Sequence, residues 1–166
     1  MSAPVLWITN FATVKLHPTL PIQYRTGKVF AIMLYPRLFE IERSWGRVEI
    51  SAPSEIQGPL LRQALEDRKR GSLFAEPKES AAGVLRKQLE ARWEHALSDG
   101  MLSPGSLSAQ CWSDRQSPPR MILNDGCILC CSCAVGAECH RRWLAPFLKR
   151  AGWDVRLEGL PLNIEV

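Results

Sequence analysis

Residues 127–158, CILCCSCAVGAECHRRWLAPFLKRAGWDVRLE, decide the fold that the sequence predicts. The stretch opens with an apolar run of strand length, Cys127–Cys133, and a helical face formed by Leu144, Phe147 and Leu148 follows. Gly152 is a suitable end for that helix, and the residues after it, 154–158, have the pattern of another strand. A strand, a loop, a helix and a strand over about thirty residues predict a right-handed βαβ unit.

Two further strands are predicted in the N-terminal part of the chain. Val5–Thr9 is rich in β-forming residues, and Val29–Leu34 is almost wholly apolar, as in a strand that is covered on both faces. Ser54 is a good N-cap for a first helix that ends near Gly71.

A second helix is predicted over residues 78–97, because apolar residues recur there at helical spacing: Leu85, Leu89, Trp93 and Ala96. Residues 98–126 have a high serine and proline content and are predicted to form a long irregular connection. Such a connection is often functional, although a merely mobile segment fits equally well. The whole chain, residues 1–166, is therefore predicted to be a single Rossmann-like α/β domain, with a mostly parallel sheet flanked by helices.

Composition excludes few function classes. The 166 residues are 46% hydrophobic and 23% charged, which is ordinary for a globular protein. No apolar run approaches the roughly 20 residues that a membrane span needs, and the first residues do not resemble a secretion signal. A cytoplasmic location, where thiols stay reduced, is therefore expected. A formal charge of +4 is compatible with nucleic acid or a phosphorylated small molecule as partner, and equally with neither.

Five of the six cysteines lie between residues 127 and 139. Side chains alternate along a strand, so Cys131 and Cys133 share a face at the strand's end, where open α/β sheets place their ligand sites. Cys139 and His140 follow a short loop, near the start of the next helix. Cys127 and Cys130, by contrast, are predicted to be packing residues of the core.

Two chemistries suit this cysteine segment. Cys131, Cys133, Cys139 and His140 are enough ligands for a tetrahedral zinc ion, although adjacent Cys and His side chains do not easily bind one ion. Alternatively, Cys139 is a thiolate nucleophile or redox centre that His140 assists. The residues alone leave both interpretations open.

Basic residues follow the cysteine segment. If the helix begins near Glu138, Arg141 and Arg142 lie in its first turn, where they could bind a phosphate together with free backbone N–H groups. A solvated basic surface is the alternative. Pro146 favours a later start near Leu144, which would leave residues 139–142 in irregular backbone.

The run ILCCSCAVGAECHRRWLAPFL resembles the C-terminal signature of the family called domain of unknown function 488. In that family an apolar strand ends in a cysteine and Cys-His-Arg precedes a helix. Cys131 matches the strand cysteine, and Cys139, His140 and Arg141 match Cys-His-Arg. The segments ITNFATVKLHP, LYPR and SAPS resemble the family's N-terminal part. Cys133 is a departure, because family members commonly carry an acidic residue there. The arrangement also resembles domain of unknown function 4326. Both resemblances imply a Rossmann-like fold and neither implies an established reaction.

Two functions compete on these observations. The first is an enzyme that acts on a nucleotide, nucleoside or nucleic acid. Its catalytic residues would be Cys131, Cys139 and His140, and its substrate-binding residues Asn10, Arg37, Arg141 and Arg142. The second is an accessory module that binds nucleic acid or protein, in which zinc or packed thiols only hold the site in shape.

Overall fold

A computed structural model describes residues 2–16, 28–32, 38–50, 81–112, 119–131 and 140–160 of the chain. The described residues form seven strands: β1 (Val5–Asn10), β2 (Val29–Ala31), β3 (Gly46–Val48), β4 (Ser108–Cys111), β5 (Arg120–Ile122), β6 (Cys127–Cys131) and β7 (Asp154–Leu157). They also form four helices: α1 (Phe11–Leu16), α2 (Leu38–Glu42), α3 (Ala81–Ser98) and α4 (His140–Arg150). The protein is therefore of the α/β class, as predicted.

All seven strands belong to one mixed sheet in the order β5-β4-β3-β2-β6-β1-β7. The strands β3, β2, β6, β1 and β7 run parallel to one another, whereas β4 is antiparallel to both β3 and β5. The four predicted strands, which are β1, β2, β6 and β7, all join this sheet. The predicted β2 extends further, to Leu34, but residues 33–34 lie outside the described residues, as does the helix predicted from Ser54.

The strand β6, the helix α4 and the strand β7 follow one another along the chain and form one β6–α4–β7 unit. The two strands of this unit are parallel but do not pair with each other, because β1 lies between them and bonds to both. Both strands and α4 bury apolar side chains, including Leu129, Leu148 and Val155. The hydrophobic effect of burying these side chains favours the packing of α4 against this part of the sheet.

Part of the predicted irregular connection, residues 98–126, forms strands instead. β4 and β5 lie within it and extend the sheet beyond β3 as an antiparallel pair. Each of these strands has only three or four residues. With serine and proline around them, the sequence shows no clear alternation of apolar and polar residues there. The partner that makes β4 a strand is β3, about sixty residues earlier in the chain, and such a distant pairing leaves little local signal.

The helix α4 begins earlier than its proline suggests. It runs from His140 to Arg150 with Pro146 inside it, so Arg141 and Arg142 are helical and not in irregular backbone. Proline removes one helical hydrogen bond, to the carbonyl of Arg142. The buried face of α4 offsets that loss by packing: Leu144, Ala145, Phe147 and Leu148 are all buried. Gly152 follows the helix with a φ of 108°, which confirms its predicted place at the helix end.

The predicted stripe of α3 is part of the core. Leu85, Leu89, Trp93 and Ala96 are between 2% and 8% exposed. The indole of Trp93 packs edge-on against Phe147 of α4, with ring centroids 5.7 Å apart. No helix within the described parts of the chain is long and apolar enough to cross a membrane.

Gly46 is required where β3 and β4 approach each other. A Cβ atom at this position would collide with the backbone carbonyl of Gln110 in β4. We expect Gly46→Ala to lower the free energy of unfolding by about 3 kcal/mol, because only movement of a strand relieves a clash with backbone. Gly100→Ala is the control: its φ is 73° but nothing lies near its Cβ, so a cost of about 1 kcal/mol is expected. Urea unfolding measures both variants, and equal losses would show that the β3–β4 contact relaxes freely.

Candidate functional site

Polar side chains meet at the carboxyl ends of three adjacent strands. Cys131 ends β6, and its register partner Asn10 ends β1. Glu158 follows β7 directly, and its backbone N–H donates to the carbonyl of Ile8 in β1 over 2.8 Å. In open α/β sheets this edge is where ligands bind.

The side chain of Arg141 joins the ends of β6 and β7. It projects from the first turn of α4 and is fully buried. Its Nη1 donates to the sulfur of Cys131 over 2.8 Å. Its Nε and Nη2 donate to the carboxylate of Glu158 over 3.2 Å and 3.1 Å, with a longer contact of 3.4 Å from Nη2 to the second oxygen. One guanidinium thus bridges a thiol and a carboxylate.

Arg142 adds a second positive charge to the cluster. Its Nε donates to the same carboxylate of Glu158 over 3.3 Å, and its side chain is 40% exposed. Among the described residues, two guanidinium groups therefore face the carboxylate of Glu158. A buried positive charge stabilises an anion placed next to it, and the sulfur of Cys131 lies in that position.

The neighbouring cysteines are as buried as Cys131 is. Cys127 and Cys130 are fully buried, as predicted for packing residues. Burial raises the pKa of the Cys130 thiol well above its usual value; the charge of Cys131 raises it further, and Arg141 lowers it. Burial likewise raises the pKa of Cys127. Both thiols are therefore held in the protonated, unreactive form.

Asn10 acts on the backbone of the next element. The chain enters α1 directly after β1, and the Oδ1 of Asn10 accepts the backbone N–H of Thr13 over 2.8 Å. This is the geometry of an N-cap. Asn10 is 2% exposed. It lies beside Cys131 in the sheet, and it also caps α1, which is a structural role.

The structure describes only part of the predicted site. Cys131, His140, Arg141, Arg142 and Asn10 are described, and His140 is the half-buried first residue of α4. The remaining site residues lie outside the described residues: Arg37, Cys133 and Cys139. The prediction that they belong to the site stays a prediction.

The described residues bear on the zinc prediction only through Cys131 and His140. Among the described His, Cys, Asp and Glu side chains, no group of three lies close enough to hold a metal ion. Two of the four predicted ligands, Cys133 and Cys139, are not among them. The guanidinium at 2.8 Å from the sulfur of Cys131 brings a positive charge to the place where a cation would bind. Cys131 thus has a guanidinium as a described partner, and the zinc site stays a prediction.

Sequence reasoning missed Glu158, the residue that holds both arginines. A signal for it was present, because an acidic residue directly after a parallel strand lies at the same sheet edge as Cys131 and Asn10. The sequence does not reveal that β7 and β6 are both neighbours of β1. That adjacency brings Glu158 within reach of Arg141.

Comparisons with known proteins do not identify a family or a function for this site. Neither the protein-family models, nor the curated proteins, nor the solved structures contain a match to the chain.

Proposed function

We propose that the protein is an enzyme that acts on a nucleotide or nucleic-acid substrate. Cys131 is one of its catalytic residues in this proposal. The observation that carries the proposal is the buried contact between Arg141 and the sulfur of Cys131 at the carboxyl edge of the sheet. A thiol packed only for stability does not need a guanidinium, which is costly to bury. The proposal includes a Rossmann-like, mostly parallel arrangement, in which this edge faces the substrate.

The residues of the site take separate roles in this proposal. Cys131 and Cys139 supply thiols, and His140 accepts or returns a proton. Arg142 is partly exposed beside the cluster and, with Arg37, binds a phosphate of the substrate. Arg141, predicted to bind phosphate as well, is buried against Cys131 and Glu158 and acts on the sulfur instead.

The resemblance to domain of unknown function 488 is part of the same proposal. Its strand cysteine corresponds to Cys131, and its Cys-His-Arg corresponds to residues 139–141. In this chain the arginine of that signature contacts the strand cysteine. That contact gives a physical reason for the two parts of the signature to occur together.

Turnover of a substrate panel tests the proposal. The purified protein is incubated with nucleoside mono-, di- and triphosphates and with short single- and double-stranded oligonucleotides, and products are detected by mass spectrometry. A converted substrate is expected, and Cys131→Ser should slow its conversion by about a thousandfold. Conversion by Cys131→Ser at the parental rate would contradict the role of Cys131, and an inert panel would contradict the enzyme.

The alternative is a binding module that zinc or packed thiols hold in shape. Metal analysis of the purified protein separates the two functions. One zinc ion per chain, lost on replacing Cys133 or Cys139, would support the module, and a metal-free protein that converts a substrate would support the enzyme.

The cysteines themselves are expected to differ in function. Cys139→Ser should damage turnover or metal content far more than Cys127→Ser, because Cys127 is buried at the start of β6 and donates its S–H to Asn124 over 3.3 Å. Both variants are measured by turnover of the substrate found in the panel and by metal analysis. Equal effects at the two positions would leave all five clustered cysteines as packing residues.

A further inference from the structure

Glu158 contacts the arginines of the site and is itself 18% exposed. Its carboxylate receives Nε and Nη2 of Arg141 and Nε of Arg142. Its effect on Cys131 therefore passes through Arg141.

Because the guanidinium is planar, Glu158 can orient the nitrogen of Arg141 that contacts Cys131. Its three nitrogens lie in one rigid plane, so a partner that fixes one edge also fixes where the remaining nitrogen points. Glu158 binds the edge formed by Nε and Nη2, and the remaining nitrogen, Nη1, lies 2.8 Å from the sulfur of Cys131.

The backbone of Glu158 supports a specific task for this carboxylate. Its φ is 61°, and it is the one residue other than glycine with a positive φ among those described. L side chains rarely adopt this conformation, and glycine or asparagine would adopt it with less strain. The hydrogen bond from its N–H to Ile8 then fixes the turn against β1.

We infer that Glu158 is a positioning residue of the site, which holds Arg141 against the sulfur of Cys131. The inference rests on the proposed function in one respect, namely that Cys131 is the reacting group. Without the carboxylate, the fully buried guanidinium loses the partner that fixes its Nε–Nη2 edge, and Nη1 is no longer held against the sulfur. Cys131, which is as buried as Cys127 and Cys130, then lacks the guanidinium contact and is a poor nucleophile.

Alkylation by iodoacetamide tests this inference without any substrate. The sulfur of Cys131 displaces iodide and forms a carbon–sulfur bond, and the thiol proton passes to the buffer. Mass spectrometry of peptides gives the alkylation rate of each cysteine at one fixed pH. Cys127 and Cys111, both buried, serve as internal controls.

The variants are Glu158→Gln, Glu158→Asp and Glu94→Gln. Glu94→Gln makes the same chemical change in the exposed pair of Glu94 with Arg150 and is the matched control. Glu158→Gln should slow alkylation of Cys131 by about tenfold, the scale of one charge-assisted hydrogen bond. Glu158→Asp keeps the charge and should recover part of that rate, and Glu94→Gln should have no effect.

Three outcomes would overturn the inference: an unchanged rate in Glu158→Gln, an aspartate variant no faster than the glutamine variant, and an equal slowing by Glu94→Gln. If all cysteines of Glu158→Gln react rapidly, that variant has unfolded and Arg141→Lys replaces it. Lysine keeps the charge but lacks the planar edge, so the same selective slowing of Cys131 is expected, and its absence overturns the inference. Slower alkylation with an inert substrate panel would refute the proposed function alone.

Discussion

Replacing Glu158 by alanine will lower the free energy of unfolding by about 3 kcal/mol. The substitution leaves the guanidinium of Arg141 fully buried without its carboxylate, beside a second positive charge from Arg142. Breaking a buried ion pair by removing one partner typically costs about 3–5 kcal/mol, and the lower value applies because the carboxylate is partly exposed. Urea unfolding followed by circular dichroism measures the change.

The control for this prediction is Glu94→Ala. Glu94 and Arg150 form a pair that is more than half exposed on both sides, so its loss should leave the unfolding midpoint unchanged. If Glu158→Ala also leaves the midpoint unchanged, the buried pair contributes nothing to stability, and Arg141 has another partner that compensates its charge.

Replacing Trp93 by alanine will cost about 3–5 kcal/mol, the usual range for a core aromatic residue. The side chain is 2% exposed, packs against Phe147 and donates its indole N–H to the carbonyl of Ile50 over 3.1 Å. The substitution therefore removes the packing of Trp93 on Phe147 between α3 and α4 and leaves the carbonyl of Ile50 without its donor. Thermal and urea unfolding both measure the loss.

Trp93→Phe separates the two contributions. It keeps most of the apolar volume but removes the N–H donor, so about 1–2 kcal/mol should be lost. A Trp93→Ala variant that melts within a degree or two of the parent would show that α3 is peripheral to the core.

The fold was predictable where the signal was local. The apolar runs of β1, β2, β6 and β7 and the helical stripe of α3 are patterns of neighbouring residues, and burial confirms them. The pair β4 and β5 was not predictable, because three or four residues with serine and proline around them carry too little pattern. The pairing of β4 with β3 joins distant parts of the chain and depends on a glycine, Gly46, that permits a close approach.

The sequence by itself determined the α/β class and the alternation of the cysteines along β6. Alternation along β6 puts Cys131 on the face opposite Cys130. The thiols that cluster before a Cys-His-Arg run indicate a candidate site at the end of that strand. These conclusions need only the period of a strand and the chemistry of the residue types.

Only the tertiary structure decided what Cys131 contacts. The partner of its sulfur is Arg141, ten residues later, and the partner of Arg141 is Glu158, after the next strand. The three meet because β1, from the beginning of the chain, inserts between β6 and β7 and sets the spacing of their carboxyl ends. Strand order depends on the packing of the whole sheet, and a local pattern in the sequence cannot encode it.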